Sequence, residues 1–444
     1  MQKAYIQTFG CQMNGYDSQW MKEILLEEGY DITDEVKEAG LVLINTCSVR
    51  ENPENKVYSL LGRLNRLKRQ KPGMIIGVGG CVAQQEGEAI LKRESSVNMV
   101  FGTDCFFQLP EMIKQVKEGK RVVYTDWLER HRKIQNFIPD EKIESARIEG
   151  NKAMIAITKG CDNFCSFCIV PTTRGRLVSR EAENIIAEAQ SLIKKGVKEI
   201  LLLGQNVNSY QTHQFSFAGL LKSVADLEGL TRLRFTSPHP NDWDNGLTDL
   251  MASHPKICNQ IHLPIQAGSD RILELMRRGH TVMEYLDKVN YIKTKIPSIS
   301  FSTDIIVGFP GETDDEFEKT LEILRAVRYS HVYAFKYSSR PGTKAAEMEN
   351  PLTEEIKQER LSKLILLQEK IQEDLFSQLI GTKQTVLIDN AHPKENGTMN
   401  GRTDSNIPIS IPETDLTSGE LAEVFITRKK QYSLVGRLVR RLPH

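Results

Sequence analysis

Residues 157–180 read ITKGCDNFCSFCIVPTTRGRLVSR. They continue an apolar, strand-like run, MIAIT (154–158), and carry Cys161, Cys165 and Cys168 in a CxxxCxxC spacing. Three thiolates on one short loop suit a cubane iron–sulfur cluster, whose irons prefer sulfur ligands. Four irons held by three protein ligands leave one iron open to a small chelating molecule. A structural zinc is the competing reading, but it usually takes four closed protein ligands. The next histidine after the loop is only His213. Unmetallated thiols are the third possibility.

Downstream of this loop, strand and helix signals alternate. Strands are expected at EILLLG (199–204), RLRFTS (232–237), IHLPI (261–265), FSTDIIVGF (301–309) and HVYAFKY (331–337). Helices fall between them, including Glu181–Lys195, Asp270–Arg278 and Asp314–Val327. Counting MIAIT, this makes six βα units and predicts a barrel or an incomplete barrel, with its site at the C-terminal ends of the strands. Gln205, Ser237 and Gln266 lie at such ends. GFPGET (308–313) lacks the GxxxxGK[ST] and GxGxxG phosphate patterns and reads as a tight turn. Pro351–Leu379 reads as a long charged helix.

Upstream, KAYIQT (3–8), LVLINT (41–46), MIIGVGG (74–80) and VNMVFG (97–102) read as strands. Helices are expected at Asp17–Tyr30, capped by Asp17 or Ser18, and at Glu54–Gln70. Alternating strands and helices predict a parallel sheet covered on both faces. Cys11, Cys47 and Cys81 each follow one of the first three strands, about 35 residues apart. Loops after parallel strands share one sheet edge, so these cysteines are expected to meet. Cys105 and Cys258 match no such pattern and read as packing residues.

The last ~63 residues change character. TVLIDN, IPISI, LAEVFIT and YSLVGRLV are short strands separated by turn residues, the pattern of a small β-barrel. From Val424 onward the chain holds Arg428, Lys429, Lys430, Arg437, Arg440 and Arg441 and no acid. Such clusters attract phosphates. A second cluster, Arg63–Lys71, lies opposite a leucine stripe and reads as a solvated helix face. Overall charge is balanced, with 58 basic and 58 acidic residues, so any polyanion is met locally. Composition is that of an ordinary globular chain. No apolar run approaches the ~18 residues of a membrane span, and the N-terminus lacks a signal-peptide core, so a cytoplasmic location is expected. Eight cysteines in such a chain are not expected to be structural disulfides. The expected division is 1–125, a linker at 126–150, 151–378 and 379–444.

The CxxxCxxC loop after the first strand of a six-unit βα domain resembles the radical S-adenosylmethionine (SAM) superfamily. The chain as a whole resembles its methylthiotransferase branch. FGCQMN (9–14), NTCSVRE (45–51) and GGC (79–81) match the N-terminal domain, and LLLGQNVNSY (201–210), SPHP (237–240), HLPIQAGSD (262–270) and DIIVGFPGET (304–313) match the core. GRTDSN (401–406) sits where the C-terminal TRAM domain has its RNA-binding turn. Departures from the branch's usual residues are small: Thr172, Ala267, and Gly204-Gln205 in place of a Gly-Glu pair.

The resemblance implies an α/β chain with an N-terminal parallel sheet, a partial (βα)6 radical SAM barrel and a small antiparallel TRAM barrel. It implies two [4Fe-4S] clusters. One, on Cys161, Cys165 and Cys168, is chelated by SAM; the other, auxiliary, is held by Cys11, Cys47 and Cys81. Gln205, Ser237 and Gln266 are the candidate SAM contacts. The implied reaction places a methylthio group on C2 of N6-isopentenyladenosine at position 37, next to the tRNA anticodon. Implied partners are the anticodon stem-loop and a flavodoxin- or ferredoxin-type electron donor; a monomer suffices. Two alternatives stand beside this reading. One is the same chemistry on threonylcarbamoyladenosine or a ribosomal protein side chain. The other is a non-catalytic iron–sulfur RNA-binding protein.

Overall fold

The computed structural model describes residues 2–48, 51–127, 140–145, 150–391, 397–412 and 414–443. Residues 49–50 of the NTCSVRE motif, most of the expected linker and residues 392–396 before GRTDSN lie outside these.

The N-terminal sheet has six strands: β1 (Gln2–Thr8), β2 (Tyr30–Ile32), β3 (Leu41–Thr46), β4 (Ile75–Gly80), β5 (Met99–Phe101) and β6 (Val122–Tyr124). Their order is β2-β1-β3-β4-β5-β6, parallel throughout. The sequence reading found four of them. It missed β2 and β6, edge strands of three residues, too short for any periodicity to register. Every residue of β3 and β4 is buried. Leu41 and Leu43 face one core cluster while Val42 and Ile44 face another, as a sheet covered on both faces requires.

The first helix is a correction. It spans Gln12–Glu27 with Cys11 at its N-cap, not Asp17–Tyr30. Asp17 and Ser18 are not caps. Both are buried inside the helix, Asp17 bonded to Arg174 and Ser18 to Asn45 and Thr8. Tertiary partners have outcompeted the local capping preference.

The core carries β7 (Lys152–Ala156), β8 (Thr158–Lys159), β9 (Val178–Ser179), β10 (Glu199–Leu203), β11 (Arg232–Phe235), β12 (Gln260–His262), β13 (Ser300–Val307) and β14 (His331–Lys336). β7-β10-β11 and β12-β13-β14 are parallel triplets in chain order, joined by a bridge between Leu233 and Ile257. Six strands wound in order leave β7 and β14 each without a second strand partner among the described residues, which is a partial barrel. β8 and β9 pair antiparallel and clamp the ends of the segment holding the cysteine loop.

A helix over Glu354–Leu379 leads to five C-terminal strands: β15 (Lys383–Ala391), β16 (Met399–Thr403), β17 (Pro408–Ile411), β18 (Leu421–Lys429) and β19 (Leu434–Leu442). They close in the order β15-β16-β17-β19-β18. Two expectations change. The barrel is not wholly antiparallel, because β17 and β19 pair parallel to close it. MNGRT, read as turn, is strand β16; Asn and Gly are poor strand formers, and Gly401 is needed where an added Cβ would lie 2.5 Å from Val386.

This barrel docks beneath the core, at the N-terminal ends of its strands. Arg232 donates to the carbonyls of Arg402 and Thr385, and Arg234 to those of Asp404 and Thr403. Asn151 donates to the Ile388 carbonyl, and Lys152 pairs with Asp389 at 2.7 Å. The backbone of the GRTDSN turn is therefore directed at the core.

Candidate active site

β1, β3 and β4 are sheet neighbours, so Cys11, Cys47 and Cys81 come off one edge together. Asn14 staples two of these loops: its amide donates to the carbonyls of Phe9 (2.8 Å) and Thr46 (2.7 Å). Thr46 Oγ1 ties in the third, donating to the Gly79 carbonyl and accepting from the Val82 N–H. Gly10 has φ +109°, and a Cβ there would lie 2.2 Å from Cys47 Cβ. Only glycine permits that approach. The Cys11 thiol is pulled down to about 6, chiefly by hydrogen bonding with Cys47, whereas burial pushes the Cys81 thiol up.

Cys161, Cys165 and Cys168 lie on the loop between β8 and β9. Gly160, at φ +74°, opens this loop; a Cβ there would sit 2.1 Å from the Arg176 carbonyl. Its N–H donates to Gln205 Oε1 at 2.6 Å. The Cys161 N–H donates to the Gly175 carbonyl, and the Ser166 N–H to that of Met276. Arg278 places Nη1 3.4 Å from Cys165 Sγ and Nη2 2.7 Å from the Pro264 carbonyl. Burial raises the thiols of Cys161 and Cys168, the latter to about 12.

The two triads face each other across one cavity of about 260 Å³. Cys11 and Cys81 line one side and Cys161, Cys165 and Cys168 the other. Cys47 stands behind Cys11. Gln205, Ser237 and Gln266 all line the same space. Ser237 (φ +60°) and Gln266 (φ +77°) are left-handed, an uncommon conformation for residues other than glycine. Gln266 is held in it by backbone bonds to Asp304 and Ile306 of β13.

This chain is 43% identical to the "tRNA-2-methylthio-N(6)-dimethylallyladenosine synthase" of Geotalea uraniireducens over 439 residues, 98% of both chains. It is 43% identical to the protein of the same name from Histophilus somni, over 99% of this chain and 93% of that one. The chain belongs to the tRNA-2-methylthio-N(6)-dimethylallyladenosine synthase family. Its parts match family models in order: an uncharacterized protein family, UPF0004, over residues 3–102, the radical SAM superfamily over 155–324, and the TRAM domain over 377–439. Among solved structures it resembles the radical SAM methyltransferase TsrM of Kitasatospora setae, with TM-score 0.55 at 17% identity, covering 78% of this chain and 74% of that one. It also resembles the cobalamin-dependent SAM radical enzyme OxsB, with TM-score 0.51 at 10% identity, covering 84% and 56%. These likenesses establish the fold.

The residues suit the clusters of this family. Among the described residues no three His, Cys, Asp or Glu side chains converge on a single ion. The corners of a four-iron cube lie farther apart and accept more widely spread thiolates. A cluster held by thiolates is anionic, and each triad has a buried arginine beside it with an unpartnered nitrogen, Arg174 Nη1 and Arg278 Nε.

Sequence reasoning missed several groups at this cavity. Arg174, from the TRGR segment, is 3% exposed, and its Nη2 donates to Asn14 Oδ1 (2.7 Å) and Asp17 Oδ2 (2.8 Å) of the N-terminal domain. His239 of SPHP lines the cavity; burial drives it down to about 2, so it stays neutral. Its Nδ1 accepts from the Asn241 N–H and its Nε2 has no partner. Both residues sat inside quoted motifs. Arg278 had no motif to flag it: the helix expected over Asp270–Arg278 ends at Leu275, and Arg278 lies beyond it.

Proposed function

We propose that this chain is a radical SAM methylthiotransferase that converts N6-isopentenyladenosine at position 37 of tRNA to its 2-methylthio derivative. The observation that carries the reading is the meeting of Cys11 and Cys81 with Cys161, Cys165 and Cys168 across one cavity, in a chain 43% identical over 98% of its length to a synthase of that name. That C2 carbon bears a hydrogen with no acid–base route to replacement, so the chemistry belongs to a cofactor. The cluster with SAM, when bound, supplies a carbon radical able to take that hydrogen.

The protein's share is placement. Cys161, Cys165 and Cys168 hold the SAM-chelating [4Fe-4S] cluster, on a loop anchored by Gln205 and Arg278. Cys11, Cys47 and Cys81 hold the auxiliary cluster, the site of the sulfur to be methylated and transferred. Ser237 and Gln266 contribute to the SAM pocket. For Gln205 the bond to Gly160 supports loop closure as its first task, since its carbonyl oxygen is already engaged. The division 1–125, 151–378 and 379–444 follows these roles.

The C-terminal barrel serves the RNA. Arg437 lies exposed over the Phe425 ring at 5.1 Å, the cation-on-aromatic surface on which unstacked anticodon-loop bases settle. No helix among the described residues is long and apolar enough to cross a membrane. We place the protein in the cytoplasm as a monomer, reduced by a flavodoxin or ferredoxin.

Anaerobically reconstituted protein with SAM, a strong reductant and either an isopentenylated or a threonylcarbamoylated anticodon stem-loop tests this. Mass spectrometry of the nucleosides should show the methylthio gain on the isopentenylated RNA only. Gain on the other RNA alone would overturn the substrate; no SAM cleavage would overturn the chemistry. Replacing Cys11, Cys47 and Cys81 with alanine should abolish the product yet leave SAM cleavage. Wild-type product from that variant would refute the auxiliary-cluster assignment.

A further inference from the structure

Arg174 belongs to the core by sequence and to the N-terminal domain by its bonds. It lies on a short helix, Val170–Arg174, directly after the Cys161–Cys168 loop. Its side chain crosses to the helix that begins after Cys11, where Nη2 is held by Asn14 and Asp17. Asn14 is also the residue that staples the Cys11 and Cys47 loops. The guanidinium lines the cavity that Cys11 and Cys81 line; its Nη1 is buried without an oxygen or nitrogen partner, and Arg174 draws down the Cys81 thiol that burial pushes up.

A buried donor on a fixed cation is costly to leave without an acceptor. The two acceptors on Nη2, Asn14 Oδ1 and Asp17 Oδ2, prevent the guanidinium from turning away. Sulfur beside the Cys11–Cys81 edge is the acceptor within its reach, and the charge is of the sign an anionic cluster needs.

We propose that Arg174 holds the auxiliary cluster from across the domain interface, donating Nη1–H to its sulfur and setting its reduction potential. Asp17 moderates that charge. Since Asp17 and Arg174 come from different domains, the auxiliary cluster acquires its environment only when the two are docked. This inference rests on the assignment of Cys11, Cys47 and Cys81 to that cluster.

The test uses the full chain with Cys161, Cys165 and Cys168 replaced by alanine, so that one cluster remains. Its potential is read by redox titration followed by electron paramagnetic resonance. Arg174→Gln should lower the potential, so that the reduced-to-oxidised ratio at a fixed potential falls about a hundredfold, the effect of one charge about 6 Å from the cluster centre at an effective dielectric of about 20. Arg174→Lys should fall in between, since it keeps charge and loses the fork. Asp17→Asn should shift the potential the other way. A merely structural salt bridge would move cluster retention in the same direction in both Arg174→Gln and Asp17→Asn, with no opposite shifts in potential. Equal potentials in all variants, or shifts of one sign, would overturn the proposal. A parent that binds no iron–sulfur cluster would overturn the assignment of the cysteines and this inference with it.

Discussion

At the scale of single residues, burial sets the protonation of two imidazoles, one lining the cavity and the other packed against it. His239 and His280 pack with ring centroids 6.1 Å apart, and burial drives them down to about 2 and about 4, with Arg278 as the next cause for both. Both are held below the ~6.5 of an unfolded histidine. The fold therefore binds fewer protons than the unfolded chain. Their contribution is complete above pH ~6.5 and is lost as pH falls through the folded values. Urea denaturation of the metal-free chain should show stability falling from pH 6.5 to 5. His280→Asn should flatten that slope. An identical slope in the variant would mean other groups carry the acid sensitivity. The same scale explains what could be read in advance. The cysteines stood out because their spacing is itself the chemical signal. Arg174 and Arg278 did not, because an arginine's role depends on which carboxylate, carbonyl or thiol folding brings beside it.

At the scale of elements, strands were read best where they are buried on both faces. LVLINT matched to the residue, since a continuous apolar run has few alternative uses. Helix starts were read worst where a functional contact sits. The helix at Gln12–Glu27 begins at Cys11 because the loop must deliver that thiol to the sheet edge. Between this helix and the one at Ala182–Lys194 lies a buried ion pair. Arg180 is fully buried and bonds Glu188, with Tyr16 donating to the same carboxylate at 3.2 Å. Arg180→Met should destabilise the protein by about 3–5 kcal/mol, because it strands a buried carboxylate. Adding Glu188→Gln should recover most of that loss. A single variant as stable as wild type in thermal melts would show that the pair contributes nothing.

At the scale of the whole molecule, two bodies flank one half-barrel. The N-terminal sheet edge meets its C-terminal mouth, and the small barrel closes its opposite end. Arg232 and Arg234 make that lower joint through four backbone carbonyls. Charge-assisted bonds of this kind are worth about 1.5–3 kcal/mol each. Replacing both arginines with alanine should loosen the C-terminal barrel, giving an earlier thermal transition and faster proteolysis near residues 380–382. SAM cleavage should persist, since the site lies at the other end of the strands. An unchanged melt and cleavage pattern would assign the docking to Asn151 and Lys152 instead. The outward basic residues of this barrel are partly paired, Arg440 with Glu423 and Arg441 with Asp415. Their attraction for RNA is correspondingly less than a count of charges suggests.

By itself the sequence determined the order of the parts, the six-strand core and the two groups of three cysteines at strand ends. These are carried by local spacing and by apolar period, which need no knowledge of distant neighbours. Tertiary structure decided the rest. It turned MNGRT from a turn into a strand, because the barrel supplied partners on both sides. It aimed the GRTDSN backbone at the core rather than at solvent, because Arg232 and Arg234 wait there as donors. It brought Arg174 to Asp17, 157 residues away, because a buried charge is stable only beside its counter-charge, and chain distance has no bearing on which one that is.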